Sequence, residues 1–306
     1  LWLGKRSAEA FERLVWLAAP ANDRESLMGK VYDALRRAED QRSRRAQEAA
    51  ESGAVGGGFP IPLREERRDD APVFQRPRGS AVPAAVESGD ALNKRRIVML
   101  QPESVVAEQF RSLRARLDAL AETRPLRTIA VTSALPGEGK TMAAISLAVV
   151  SAMKIGGRVV LVECDMREPT IGAALGLHTD AGLTAVLVDG APLEQAIQRV
   201  AGTSLDVLAV RGLPQKPSEL LASDRMRKLL EALTVRYERV ILDLPPTLGL
   251  PDAKIVSGLC DGTVFVVRAN ETPQPDIEAA LEVLGRDRLL GIVMNDADIV
   301  PTAYGR

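Results

Sequence analysis

The stretch Ala134-Leu135-Pro136-Gly137-Glu138-Gly139-Lys140-Thr141 brings together residue types that can handle a polyphosphate. Glycines two apart let a backbone curl until successive N–H groups converge on phosphate oxygens, and a following helix adds the positive end of its dipole. A lysine and a threonine in direct succession then supply a cation for the β- and γ-phosphates and a hydroxyl for Mg²⁺. The spacing is that of a P-loop in which Ala134 stands where the first glycine is usual. Nucleotide contacts are therefore expected at Gly137, Glu138, Gly139, Lys140, Thr141 and Met142. The bland alternative is a glycine-rich turn between two core elements with a surface lysine.

Two further stretches end in acid. In Arg158-Val159-Val160-Leu161-Val162-Glu163-Cys164-Asp165-Met166-Arg167-Glu168-Pro169 an apolar run closes on two carboxylates and an arginine. In Val240-Ile241-Leu242-Asp243-Leu244-Pro245-Pro246 it closes on one. The second has the form of a Walker B element, whose aspartate helps to hold Mg²⁺. Magnesium keeps several waters and takes one or two carboxylates plus phosphates, so Thr141, Asp165 and Asp243 form a reasonable metal set. Any one of these acids alone reads equally well as a helix cap or turn residue; the P-loop gives the three together their meaning.

These residues need strands that deliver them to one end of a sheet. Leu126–Thr132 is a β-branched run before the P-loop, and Met142–Val149 is an apolar helical run after it. Further strands are expected at Leu205–Val210, Arg239–Leu244, Gly262–Arg268 and Leu289–Asn295, with helices at Pro217–Leu233 and Pro275–Leu284. Such alternation predicts an α/β fold, a doubly wound and mostly parallel sheet covered on both faces, which binds ligands at the carboxyl ends of its strands. A helix beginning at Ser104 carries Val106, Phe110, Leu113, Leu117 and Leu120 on one stripe, with Glu108, Arg111 and Arg114 beside it. Such a polar triplet is either free to meet another surface or an ordinary solvated face with local Glu–Arg pairs.

Upstream, residues 1–27 form a leader whose mixture of apolar and charged residues is compatible with a short amphipathic helix. Apolar positions at 28, 31, 32, 35 and 38 predict an amphipathic helix within 28–51. Residues 52–96, rich in Gly, Pro, Arg and Ala without period, predict a flexible linker, so the N-terminal extension is expected to be disordered. The folded domain is expected over 97–295, followed by a tail at 296–306.

Composition narrows the function classes. A net charge of −1 offers no global attraction to nucleic acid or anionic lipid, and 3% aromatic residues argue against stacking platforms for single strands. The two cysteines, Cys164 and Cys260, lie in or beside apolar runs and suit buried thiols in a reducing compartment. His178, the one histidine, sits in a loop and is expected to face solvent. No apolar run reaches the length of a membrane span.

The P-loop, the acidic Val162–Pro169 stretch and Leu242-Asp243-Leu244-Pro245-Pro246 resemble the Walker A, A′ and B elements of the bacterial tyrosine kinases, the autokinases of capsule and exopolysaccharide export. The resemblance spans roughly residues 97–295 and includes Glu108-x-x-Arg111-x-x-Arg114, Pro217-Ser218-Glu219-Leu220-Leu221, Asp252-Ala253, Asp261-Gly262 and Val266-Val267-Arg268-Ala269. Partition and septum-positioning ATPases share the fold but carry an early P-loop lysine, where this chain has Leu135. The resemblance implies ATP and Mg²⁺ as cofactors and protein tyrosine as acceptor. It implies Lys140, Glu163, Asp165 and Asp243 as catalytic residues, with Glu163 the better candidate for the base and Asp165 for the metal. It implies Arg167 and Asn295 as nucleotide contacts, the latter at adenine, and Glu108, Arg111 and Arg114 as an assembly surface for a homo-oligomeric ring. The expected partner is a separate membrane polysaccharide co-polymerase that recruits a cytoplasmic kinase to the inner face of the membrane; no nucleic-acid partner is expected. Two departures stand out: Glu163 replaces the usual first aspartate, and the end of the chain holds one tyrosine, Tyr304, as phosphoacceptor in place of a cluster. They leave an alternative open, a P-loop ATPase switch that binds a membrane partner without tyrosine kinase activity.

Overall fold

The computed structural model describes residues 15–18, 97–154, 157–178 and 180–297. The helix expected within 28–51, the linker at 52–96, the rest of the 1–27 leader and the tail from 298 on, with Tyr304, lie outside the described residues.

The strands are β1 Val15–Ala18, β2 Thr128–Ser133, β3 Val159–Glu163, β4 Gln198–Arg199, β5 Leu205–Leu208, β6 Arg239–Asp243, β7 Gly262–Arg268 and β8 Leu289–Asn295. The helices are α1 Ile97–Leu100, α2 Val105–Thr123, α3 Lys140–Ala152, α4 Ile171–Ala174, α5 Leu183–Asp189, α6 Leu193–Ala196, α7 Pro217–Leu221, α8 Asp224–Arg236, α9 Asp252–Ser257 and α10 Gln274–Leu284. The sheet order is β1-β8-β7-β2-β6-β3-β5-β4. The six inner strands are mutually parallel, and β1 and β4 close the two edges antiparallel.

The parallel strands are buried on both faces because successive residues point to opposite layers. Ile129, Val131, Leu161 and Ile241 join Phe110, Leu113, Leu117 and the apolar α3 in one core. Ala130, Val160, Val162 and Leu242 join Leu229, Leu230 and Leu233 of α8 in the other. Phe265, Val267, Ile292 and Met294 pack with Ile277 and Leu281 of α10 in a third cluster. The α2 stripe is buried as expected, with Leu120 partly so, and Ser104 caps α2 by accepting the Ala107 N–H at 3.2 Å. Both cysteines are buried free thiols, and His178 is exposed.

Three expectations change. The leader does not place a helix at 15–18: those residues are a strand on β8, pairing Val15 with Met294 and Ala18 with Gly291. The open edge of β8 offers unpaired backbone groups that an extended segment can satisfy and a helix cannot. The helix expected over Pro217–Leu233 is two helices, because Ser223 leaves the helical conformation and caps α8 by accepting the Met226 N–H at 3.3 Å. The strand expected over Leu205–Val210 ends at Leu208, since the Val210 N–H leaves the ladder to donate to Glu163 at 2.8 Å.

Candidate active site

The P-loop connects β2 to α3 at the carboxyl end of the parallel strands. Gly137 and Gly139 have φ of 83° and 94°, conformations that side chains beyond hydrogen rarely adopt. At Gly139 a Cβ would also collide with the side-chain amide of Asn295. The helix then starts at Lys140 with the N–H groups of its first turn directed out of its end, the geometry that receives an anion. Met142 lies in that first turn with its side chain buried in the core, so only its backbone is available to a ligand.

Register brings the acids together. Glu163 of β3 stands opposite Asp243 of β6, and the Cys164 N–H donates to the Asp243 carbonyl at 2.8 Å. The Lys140 Nζ donates to Asp165 Oδ2 at 2.8 Å. Burial would lower the lysine pKa, but the Asp243 and Asp165 carboxylates outweigh it and raise the pKa, so Lys140 stays charged. The Thr141 hydroxyl donates to Asp243 Oδ2 at 2.8 Å, which sets side by side the hydroxyl and carboxylate a magnesium site draws on. Asp165 also accepts the Glu168 N–H at 3.1 Å.

The expected base, Glu163, is placed differently from its neighbours. It is 1% exposed, and its carboxylate accepts the N–H groups of Thr170 at 2.5 Å, Ile171 at 2.6 Å and Val210 at 2.8 Å. Burial pushes its pKa up to about 7 against the pull of those three bonds. Turning this carboxylate toward a substrate would strip three N–H groups, those of Ile171 and Val210 buried, of their acceptor, so the extra methylene over aspartate serves to reach the start of α4 and the end of β5.

Other expected contacts are also committed within the chain. Arg167 turns to Asp252, with Nε to Oδ2 at 2.9 Å, and to the Ser218 hydroxyl at 3.1 Å. Asp252 is 1% exposed and also accepts the Ser218 hydroxyl proton. Asn295, expected at adenine, donates from Nδ2 to the Glu138 carbonyl at 3.1 Å and so sits against the P-loop. The Glu138 side chain points inward, accepting the Leu135 N–H at 2.6 Å and the Thr272 hydroxyl, so this loop residue offers a ligand only its backbone. Thr272, Ser218 and Asp252 are site residues that the motifs did not assign. Ser218 and Asp252 lie in stretches quoted for the resemblance, whereas nothing in its local sequence marks Thr272.

Glu108, Arg111 and Arg114 do not form one free patch. Glu108 is 71% exposed and pairs with Arg111 at 3.2 Å, and Arg111 also donates to the Pro102 carbonyl at 3.1 Å. Arg114 instead reaches the Val150 carbonyl at 2.9 Å, near the negative end of α3. At the opposite end of the strands, Arg124, Arg127, Arg158 and Arg239 line a hollow of about 640 Å³. There Arg127 donates to the Thr234 carbonyl at 2.8 Å and Arg239 pairs with Asp118 at 2.8 Å, ties that hold the end of α8 and the flank of α2.

Residues 126–267 match the family model described as an AAA domain. Tyrosine-protein kinase YwqD of Bacillus subtilis (strain 168) is 37% identical over 209 residues, which cover 68% of this chain and 88% of that protein. Succinoglycan biosynthesis transport protein ExoP of Rhizobium meliloti (strain 1021) is 32% identical over 209 residues, 67% of this chain but 26% of that protein, so the chain spans about a quarter of that longer relative. Among solved structures, the kinase domain of the Escherichia coli tyrosine kinase ETK superposes with a TM-score of 0.63 at 27% identity, covering 69% of this chain and 83% of that one.

Proposed function

The chain belongs to the bacterial tyrosine-protein kinases, and on that premise we propose that it is an ATP-dependent protein-tyrosine autokinase that regulates capsular or exopolysaccharide biosynthesis and export. The observation that carries the reading is the Lys140–Asp165 ion pair at the mouth of the P-loop. A lysine held charged against one carboxylate can exchange that partner for the β- and γ-phosphates of ATP, leaving the carboxylate beside the transferred group. Thr141 and Asp243, with Asp165, would hold Mg²⁺, which when bound neutralises phosphate charge. The backbone from Gly137 to Met142 would bind the phosphates, and Asp165 rather than the enclosed Glu163 would orient or deprotonate the tyrosine hydroxyl. Tyr304 is the proposed acceptor, delivered from a neighbouring copy of the chain. Tyr237 is unsuited to that role, being half-buried with its hydroxyl donated to Asp206 at 3.0 Å.

The proposed partners are further copies of the chain and a membrane polysaccharide co-polymerase, which would hold the kinase at the cytoplasmic face. Among the described residues no helix is long and apolar enough to cross a membrane. Incubation with Mg-ATP followed by phosphotyrosine detection and mass spectrometry tests the reading. Phosphate is expected on the carboxyl-terminal peptide, lost in Tyr304→Phe and in Lys140→Met. Absence of phosphotyrosine when the membrane partner is supplied, with ATP hydrolysis intact, would replace the kinase by the nucleotide switch.

A further inference from the structure

A carboxylate inside a loop that binds polyphosphate repels its ligand unless donors fix it with its charge turned away. Glu138 is such a group, 3% exposed. We propose that Thr272 is a positioning residue for nucleotide binding: its hydroxyl holds the Glu138 carboxylate and thereby sets the P-loop backbone that meets the phosphates. The inference rests on the nucleotide-binding part of the proposed function and deepens it.

The hydroxyl is fully assigned. Thr272 is 8% exposed, and its oxygen accepts the Arg268 N–H at 3.0 Å, so its single proton is directed to Glu138 Oε1. The other oxygen of that carboxylate accepts the Leu135 N–H at 2.6 Å, which closes the loop on itself. The Glu138 carbonyl meanwhile takes the Asn295 amide at 3.1 Å. Both ends of residue 138 are therefore held from outside the loop, by the connection between β7 and α10 on one side and by the last residue of β8 on the other. A valine at 272 has the same shape but offers no proton. The carboxylate oxygen would then lack its buried donor, and the side chain would leave its present position to regain one. That motion also releases Leu135 and lets the converging N–H groups spread.

Titration of the full chain with a fluorescent ADP analogue and Mg²⁺ tests this. Thr272→Val is expected to weaken binding about tenfold, the size of one lost hydrogen bond to a buried charged acceptor. Thr272→Ser, which keeps the hydroxyl, is expected to bind as wild type. Glu138→Ala should weaken binding to a similar degree, and adding Thr272→Val to it should weaken it no further, because the two act through one contact. Wild-type affinity in a folded Thr272→Val, even with a lowered melting temperature, overturns the proposal, as do effects that multiply in the double variant. If Thr272→Val does not fold, wild-type affinity in Glu138→Ala overturns it instead. Since binding is the readout, a wild type that binds Mg-ADP but phosphorylates no tyrosine overturns the kinase reading and leaves this one standing.

Discussion

At the residue scale, two carboxylates two positions apart on one strand end have opposite surroundings. Asp165 faces Lys140 and can change partners when phosphates arrive, whereas Glu163 is enclosed by three backbone donors. Their isosteric amides should therefore fail differently. Glu163→Gln places an NH₂ group against at least one of those N–H donors and is expected to lower stability by about 1–3 kcal/mol, seen as a lower melting temperature. Asp165→Asn takes away a partner of the buried Lys140 and is also expected to melt lower, but phosphotransfer by the folded protein should fall about a hundredfold or more through loss of the proton acceptor, whereas folded Glu163→Gln should keep its phosphotransfer. Normal phosphotransfer by Asp165→Asn would return the base role to another group. The motif told of an acid at 163; the hydrogen bonds that occupy it come from residues seven, eight and forty-seven positions away, which no local reading reveals.

At the element scale, α2 shows how a sequence motif divides between packing and surface. Arg114 ties α2 to the end of α3, while Glu108 and Arg111 stay at the surface with a pair that contributes little to stability. Arg114→Ala should destabilise the monomer by about 1 kcal/mol in denaturant unfolding, because a charged bond to a helix-end carbonyl is lost. Glu108→Ala and Arg111→Ala should each leave unfolding within about 0.5 kcal/mol and act, if at all, on the mass seen by light scattering. At the end of α8, burial and the bond to Asp206 raise the Tyr237 pKa from 10 to about 12. A raised tyrosine pKa means the fold prefers the neutral phenol, so its contribution is complete below pH 10 and is lost as pH rises through about 12. Tyr237→Phe should therefore flatten the alkaline loss of stability between those values in a melting-temperature profile; an unchanged slope would detach the residue from that transition.

At the scale of the whole molecule, the sheet has a weak point at β8, whose outer edge is covered by the four residues of β1. A chain lacking residues 1–27 should keep its nucleotide site, which is built from β2, β3, β6 and their loops, but should self-associate more at high concentration through the bared edge. Light scattering across a concentration series checks this, and a monodisperse truncated chain would show that β1 is dispensable. The sequence by itself determined the parallel α/β class, the position of the P-loop and the strands that end at Glu163 and Asp243, because β-branched runs, paired glycines and a helical stripe are local properties of the chain. Only the tertiary structure decided which of those chemical groups remain available. Glu163, Glu138, Arg167 and Asn295 carry the right chemistry in the right motifs, yet each is held by donors or acceptors from distant segments. The same is true of β1 and of Thr272, since an edge strand and a buried hydroxyl acquire their roles from what lies across the sheet, and neither leaves a periodic mark in its own stretch of sequence.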